Sequence, residues 1–590
     1  MNPSRLFDLL TLQKEKYNLD HAISAKQDGK WVNYSTDDVI RIVNEMSIGL
    51  QAIGIGKEDK VAIISDNRPE WNFIDLAVQQ IGAISVPMYP TITVDDFNYI
   101  FDHSETKLVF VGNEELYKKA TEGAKGLNIQ DIYTFDKVSG AKNWREVLDL
   151  GKGKDTSALE AIKATINPEE LMTIIYTSGT TGRPKGVMLS HSNVLSNTVS
   201  VAERASMEPR VVPGKSRAIS FLPLCHIYER TGFYYFTYLG ISIYYAESLE
   251  TIAANIQEVK PHLFNTVPRL LEKIYDKIVA KGYELTGIKK KLFFWALNLG
   301  LKYEPNQNQG WWYNKQLGLA RKIIFSKWRA ALGGEIVSIN SGASALQPRL
   351  ARVFWAAEIK ICEGYGLTET SPVVTASLPT HEGIRIGCVG PLVKDVEVKI
   401  AEDGEILVKG PNVMMGYFKQ PELTAEVIKN GWFHTGDIGT MVEGKYLKIT
   451  DRKKEMFKTS GGKYLAPQVM ENKFKESMFI DQLCVVGDNR RFPAALIVPN
   501  FEALKDWCKN QNIPYTTDAE IIKNKQVIER YQEAVDKYNK LFGNWEQIKK
   551  FTLLGASWGI DTGELTPTMK LKRRIVEDKY KQEIEAMYAQ

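Results

Sequence analysis

Cysteine is scarce and unpatterned. Cys225, Cys362, Cys388, Cys484 and Cys508 are scattered over 590 residues, with no Cys-x-x-Cys pair and no histidine at zinc-like spacing. That excludes a disulfide framework and a cysteine-based zinc site, and it fits free thiols in a reducing cytosol. No charge of one sign dominates either. The 75 Lys and Arg against 71 Asp and Glu leave a formal net charge of +4, too little to argue for a nucleic-acid partner. Long apolar runs are missing too. The longest nearly uncharged stretch is Thr231–Ala246, TGFYYFTYLGISIYYA, shorter than the roughly 18–20 apolar residues of a spanning helix. It reads as buried core or as the wall of an apolar pocket. At the N-terminus Asp8 interrupts the only apolar stretch, which excludes a signal peptide. Short-period repeats and low-complexity segments are absent.

What is present is a globular balance, 44% apolar and 25% charged, over a length that calls for several cores, roughly one per 150 residues. Residues 61–65 (VAIIS), 84–87 and 108–111 read as buried strands. Helical spacing falls between them at 70–81, behind Pro69, and at 95–103. Strands alternating with helices of this length imply parallel βαβ units buried on both faces. The alternation recurs around 219–222, 243–246, 263–266 and 336–341. The expected fold is therefore α/β, with a large N-terminal domain of two related βα-layered halves. From 392 to 450 the character changes to short strands (VEVKI, GEILVKG, YLKIT) separated by Asp-Gly and Glu-Gly turns, a small β subdomain. After 450, helix 467–476, strands near 483–487 and 494–498 and polar helices imply a small α+β domain. The expected division is 1–450 and 451–590.

Residues 173–187, TIIYTSGTTGRPKGV, run from an apolar strand into a loop of hydroxyls, glycines and a lysine. Glycines let backbone amides face an anion, Thr177, Ser178, Thr180 and Thr181 add hydroxyl donors, and Lys185 adds positive charge. Lys185 follows Pro184 and precedes Gly186, so this is not the Gly-Lys-Ser/Thr loop of ordinary nucleotide triphosphatases. The string YTSGTTGRPKG resembles the phosphate-loop signature of the adenylate-forming superfamily, which includes acyl-CoA synthetases, luciferases and peptide-synthetase adenylation domains. Six further motifs follow in that family's order: FLPLCH (221–226), SGASAL (341–346), EGYGLTET (363–370), GWFHTGDIG (431–439), DRKKEMFKTSGGKYLAP (451–467) and LTPTMKLKRR (565–574).

The resemblance implies a reaction in which a carboxylate attacks the α-phosphate of ATP. Both partners are anions, so positioning and charge neutralisation carry the rate. By resemblance the nucleotide is bound by Thr177, Ser178, Gly179, Thr180, Thr181, Gly182 and Lys185, by Gly342, Ala343 and Ser344, and by Glu363, Gly364, Tyr365 and Gly366, with the Tyr365 ring on adenine. Thr368 contacts phosphate, Glu369 holds Mg²⁺ with help from Thr177, Asp437 takes the ribose hydroxyls, and Arg452 reaches ribose or phosphate. Lys570 is the catalytic cation. Asp451 is the hinge of a mobile C-terminal domain, Gly461 and Gly462 line a CoA channel after that domain rotates, and His226 and Gly342 stand at the acyl pocket.

The motif variants DNRPEW (66–71) and FNTVPRLLEKIY (264–275) resemble the long-chain acyl-CoA synthetase branch. That implies a long-chain fatty acid, ATP and CoA as substrates, in a cytoplasmic protein of lipid metabolism. An acyl-AMP ligase loading a carrier protein, or an enzyme for another acid, stays open, as does a homodimer. A catalytically dead lipid carrier is disfavoured by the intact Glu369, Asp437 and Lys570. Residues 281–329 hold ten Lys or Arg against two acidic residues, beside Phe293-Phe294-Trp295 and Trp311-Trp312-Tyr313. Cations beside rings fit peripheral contact with an anionic membrane surface. An amphipathic helix pair packed on the domain is the plainer alternative.

Overall fold

The computed structural model describes residues 2–177, 183–248, 250–566 and 569–589. In the first half, the parallel strands Lys60–Ile64, Ile84–Met88 and Thr106–Val111 are joined through helices Pro69–Gln80 and Val94–Ser104. Pro69 opens its helix, where the missing N–H costs nothing. These strands are the middle of an eight-stranded sheet. The second half is a sheet of the same size, whose centre is the parallel set Arg217–Ser220, Leu263–Thr266, Ser338–Ser341 and Lys360–Gly366. Its far edge is an antiparallel hairpin, Ile23–Gln27 with Lys30–Tyr34, which sequence alternation did not indicate.

The Thr231–Ala246 stretch divides between a buried helix, Ile227–Tyr238, and a strand, Ser242–Tyr245. The helix lies between the two halves and is tied to the first by Arg230. Its guanidinium reaches Asp75 Oδ1 at 2.5 Å, Thr173 Oγ1 at 2.8 Å and Ser85 Oγ at 2.8 Å, with both charged side chains fully buried. Tyr234 Oη donates to the same Asp75 at 2.7 Å. An ion pair without water is tolerable only when its remaining hydrogen-bonding capacity is met, and here serine, threonine and tyrosine hydroxyls meet it.

The β subdomain is built on Glu397–Ile400, Glu405–Lys409, Trp432–Val442 and Tyr446–Arg452. The last strand runs through residue 450 and ends at Arg452. Beyond it, strands Ile480–Val486, Ala494–Pro499 and Lys550–Leu553 form a three-stranded sheet with helices Pro467–Phe474 and Lys525–Asn539 around a separate core. All five cysteines are buried and unpaired. No helix among the described residues is long and apolar enough to cross a membrane.

Segment 281–329 folds as helices Gly287–Leu301 and Trp311–Ala320, a π turn Arg321–Phe325 and helix Ser326–Ala331. Its rings divide into two sets. Phe293, Phe325 and Trp328 are buried in the core of the second half. Trp311 and Trp312 stay 67% and 66% exposed, and Ile288 76%.

Candidate active site

The carboxyl ends of Leu263–Thr266, Ser338–Ser341 and Lys360–Gly366 open into a cavity of about 2150 Å³, where the second half, the β subdomain and the C-terminal domain meet. In open α/β sheets the crevice beyond the strand ends is where ligands collect. The volume is more than twice the roughly 300–1,000 Å³ of an ordinary ligand pocket, which leaves room for two substrates.

Thr177 ends strand Leu171–Thr177, and Lys185 begins the antiparallel strand Lys185–Ser190. The two residues are paired in register, so the strands on either side of the phosphate-loop sequence run antiparallel. Thr177 and Lys185 both line the cavity. Ser178, Gly179, Thr180, Thr181 and Gly182 lie outside the described residues. Lys185 Nζ is 5.3 Å from the Tyr417 ring centroid. Burial pulls its pKa down, with Lys454 adding to the effect and Glu369 opposing it.

Gly342, Ala343 and Ser344 follow the strand Ser338–Ser341 into the cavity. A Cβ on Gly342 would stand 3.1 Å from the Tyr228 ring, closer than carbons comfortably pack, so glycine keeps the floor low. Ala343 holds a φ of 69°, a left-handed conformation that a side chain disfavours and that recurs at binding sites. Glu363, Gly364, Tyr365 and Gly366 end the neighbouring strand. A Cβ on Gly366 would overlap the Pro372 carbonyl. Burial pushes Glu363 up to about 8.

Tyr365 Oη donates to Asp437 Oδ2 at 2.6 Å. Asp437 pairs in register with Arg452 across two strands of the β subdomain, and the guanidinium Nε lies 3.5 Å from Asp437 Oδ1. Burial raises the Asp437 pKa, and Arg452 opposes that rise. Thr368 and Glu369 sit on one short turn. Tyr417 Oη donates to Glu369 Oε1 at 2.9 Å, and burial raises the Glu369 pKa.

Lys570 enters the cavity from the C-terminal domain. The Thr566 amide donates to the Lys570 carbonyl at 2.8 Å, and the Lys570 amide donates to Thr566 Oγ1 at 3.0 Å. Burial, with Arg452 adding repulsion, pulls Lys570 down to about 8, against attraction from Asp437, Glu455 and Glu369. His226 lines the cavity, but its Nδ1 accepts the Tyr228 amide at 3.1 Å and caps helix Ile227–Tyr238. Burial, then Lys570, pulls it down to about 3, so it is neutral near pH 7.

Two groups of sequence-picked residues lie outside this assembly. Asp451 is in strand Tyr446–Arg452, its Oδ1 accepting the Arg452 amide at 2.6 Å, and burial raises it to about 7. Gly461 and Gly462 are exposed on the hairpin between Phe457–Lys458 and Tyr464–Leu465 and do not line the cavity. Residues the sequence did not flag include Tyr417, which holds Glu369, and Asn265, Asn340 and Tyr235 on the deeper wall. There the amide of Asn340 donates to Tyr235 Oη and Asn265 Oδ1, each at 3.0 Å. Asn265 lies in the FNTVPRLLEKIY string and Tyr235 in the Thr231–Ala246 stretch, but neither string marks these residues for a role, and only the fold brings the four to the cavity.

Among the described residues no group of three or more His, Cys, Asp or Glu is placed to hold a metal. Magnesium does not require one, since it binds through one or two carboxylates plus substrate phosphates. Glu369, a carboxylate desolvated in the cavity beside Thr177 and Lys185, fits that donor set.

The AMP-binding enzyme family matches residues 12–418, and the AMP-binding enzyme C-terminal domain matches 455–590. Long-chain-fatty-acid–CoA ligase FadD15 of Mycobacterium tuberculosis is 30% identical over 584 residues, covering 98% of this chain and 96% of that protein. Long-chain-fatty-acid–CoA ligase 1 of Cavia porcellus is 31% identical, covering 95% and 83%. Among solved structures, the adenylation domain of a carboxylate reductase from Mycobacterium chelonae superposes with a TM-score of 0.75 at 21% identity, covering 99% of this chain and 91% of that one. O-succinylbenzoate coenzyme A synthetase from Bacillus subtilis, solved with ATP and magnesium, gives 0.68 at 18%, covering 97% and 99%. These likenesses carry the fold. With the two matched regions, they make the chain a member of the AMP-binding enzyme family, an adenylate-forming enzyme.

Proposed function

We propose that the enzyme joins a long-chain fatty acid to CoA through an acyl adenylate, with ATP cleaved to AMP and pyrophosphate. Acid–thiol ligation is the reaction class; the identity of the acid is the step beyond it. One observation carries the reading: Lys570, from the C-terminal domain, lines the same cavity as Glu369, Asp437 and Gly342. Asp437, steadied by Tyr365, accepts the ribose hydroxyls, and Arg452 adds charge beside it. Lys185 and Lys570 offset the charge of phosphate and incoming carboxylate, an arrangement of fixed dipoles and cations worth most where water is excluded. A magnesium ion held by Glu369 and Thr177, when bound, would neutralise phosphate oxygens. Thioester formation then needs Lys570 withdrawn. Asp451 is the hinge for that motion, which brings Gly461 and Gly462 to the passage for the CoA arm.

Room for the chain is supported by the deeper cavity beyond Gly342, which extends past Thr231, Gly232 and Tyr235 to Leu263. The Asn265–Asn340–Tyr235 cluster on its wall favours a second reading, an acid carrying a hydrogen-bonding group a short way from its carboxylate. Peripheral attachment at the inner face of a membrane is proposed through 281–329. Lys315 Nζ lies 4.2 Å from the exposed Trp311 ring, and Lys289 and Lys291 are exposed beside Ile288, a pairing of ring and cation suited to an anionic interface.

Pyrophosphate exchange into ATP, measured with fatty acids of graded length and with hydroxylated and aromatic acids, tests the substrate. Exchange with unsubstituted long acids and CoA-dependent thioester formation are expected. Exchange confined to polar or aromatic acids overturns the fatty-acid reading.

A further inference from the structure

We propose that the ion pair of Lys360 and Glu208 is the floor of the acyl channel and sets the longest acid that the enzyme accepts. The inference rests on the fatty-acid reading above and deepens it. The cavity descends along two neighbouring strands, past Asn340 to Ser338 on one and from Glu363 to Cys362 on the other. The register pairs Ser341 with Glu363 at the top and Ser338 with Lys360 at the bottom. Three residue steps make this descent roughly 10 Å. Facing the strands are Val201, Arg204 and Ala205 at the end of helix His191–Ala205, and Pro379 is at the side.

Lys360 and Glu208 lie just behind these lining residues. Lys360 Nζ donates to the Pro379 carbonyl at 2.7 Å and also pairs with the Glu208 carboxylate. The Glu208 amide bonds back to the Ala205 carbonyl at 3.3 Å, and Arg210 Nε reaches its carboxylate at 3.2 Å. The pair thus ties the end of one channel wall to the start of the other. Glu208 is 5% exposed and Lys360 23%, so the pair stands between the end of the channel and the surface. Arg204 does not compete for Glu208, since its guanidinium is held by the carbonyls of Ala376, Pro391 and Leu392.

Above this floor each additional methylene leaves water for a wall that mixes Val201, Ala205 and Cys362 with Asn340 and Ser338, so binding rises by at most about fourfold per methylene, the value for a fully apolar wall. A tail long enough to reach the pair would have to part Lys360 from a nearly buried carboxylate, leaving Arg210 as its one remaining cation. Selectivity should therefore rise with length and then stop abruptly.

The test is kcat/KM for pyrophosphate exchange with saturated acids from octanoate to eicosanoate, in the full-length enzyme. The neutral double variant Lys360→Met/Glu208→Gln removes both members of the pair and leaves only Arg210, 56% exposed, to be solvated. It is expected to move the upper cut-off to longer acids by two or more methylenes, raising kcat/KM at least tenfold for the first acid that the wild type rejects. The KM for ATP and the octanoate rate should be unchanged, which also shows that the variant folds. The exchanged pair Lys360→Glu/Glu208→Lys, combined with Arg210→Gln so that no like charge faces the new lysine, is expected to bring the cut-off back. An unmoved cut-off, or an equal fall at every length, overturns the floor. If wild-type enzyme exchanges with no alkyl acid at all, the fatty-acid reading fails instead, and the floor with it.

Discussion

Lys570 ties chemistry and stability together in one side chain. Its pKa falls from 10.5 to about 8, through burial and then Arg452. That displacement is equivalent to at most about 3 kcal/mol, less the part screened by water reaching a side chain that is only half-buried. The unfolded chain keeps this proton to about pH 10.5, whereas the folded one releases it near 8. Between those values the unfolded state binds more protons, so this group's contribution to folded stability rises with pH. Below pH 8 the folded protein carries the full penalty of a desolvated ammonium. Lys570→Met should therefore stabilise the enzyme without ligands at pH 7 by about 1–3 kcal/mol in denaturant titrations followed for the C-terminal domain. The same substitution should lower pyrophosphate exchange about 10²–10³-fold, the usual worth of one preorganised charge at a developing oxyanion. In wild-type enzyme, kcat/KM for exchange should fall above a pH near 8, where an ordinary lysine would hold to above 10. Lys570→Arg, charged at every accessible pH, should retain part of the rate and lose that alkaline limb. Exchange that stays flat to pH 10 in wild type, or that survives in Lys570→Met, refutes the reasoning.

Two further outcomes are expected. Asp75→Ala strands Arg230 in a fully buried setting, at a cost of about 3–5 kcal/mol. Equilibrium unfolding should show that loss, and Asp75→Asn, which keeps a hydrogen-bonding group, should lose less. Replacing the exposed Trp311 and Trp312 by alanine and Lys289 and Lys291 by glutamine should weaken sedimentation with anionic vesicles at least tenfold while sparing exchange with soluble short acids. Unaltered vesicle binding would return these helices to ordinary solvated surface.

The local series fixed much of what is seen. Runs such as VAIIS, apolar on both faces, become parallel strands because only a sheet covered on both sides can bury them. Gly366 has to be glycine because the Pro372 carbonyl occupies the place of a Cβ. The hydroxyls, glycines and lysine of the phosphate loop were readable as an anion-binding turn because such a turn is a local property, whereas Tyr365, Glu369, Asp437 and Lys570 were picked out only by the resemblance of their motifs to the adenylate-forming family. The tertiary structure decided the rest. It brought Lys570 of the C-terminal domain into the cavity of Glu369, set Tyr417 against Glu369 and Tyr365 against Asp437, and turned Phe293 inward while leaving Trp311 in water. It also joined Lys360 to Glu208 across 152 positions. Contacts of that separation depend on how whole layers pack, and no window of neighbouring residues carries that information.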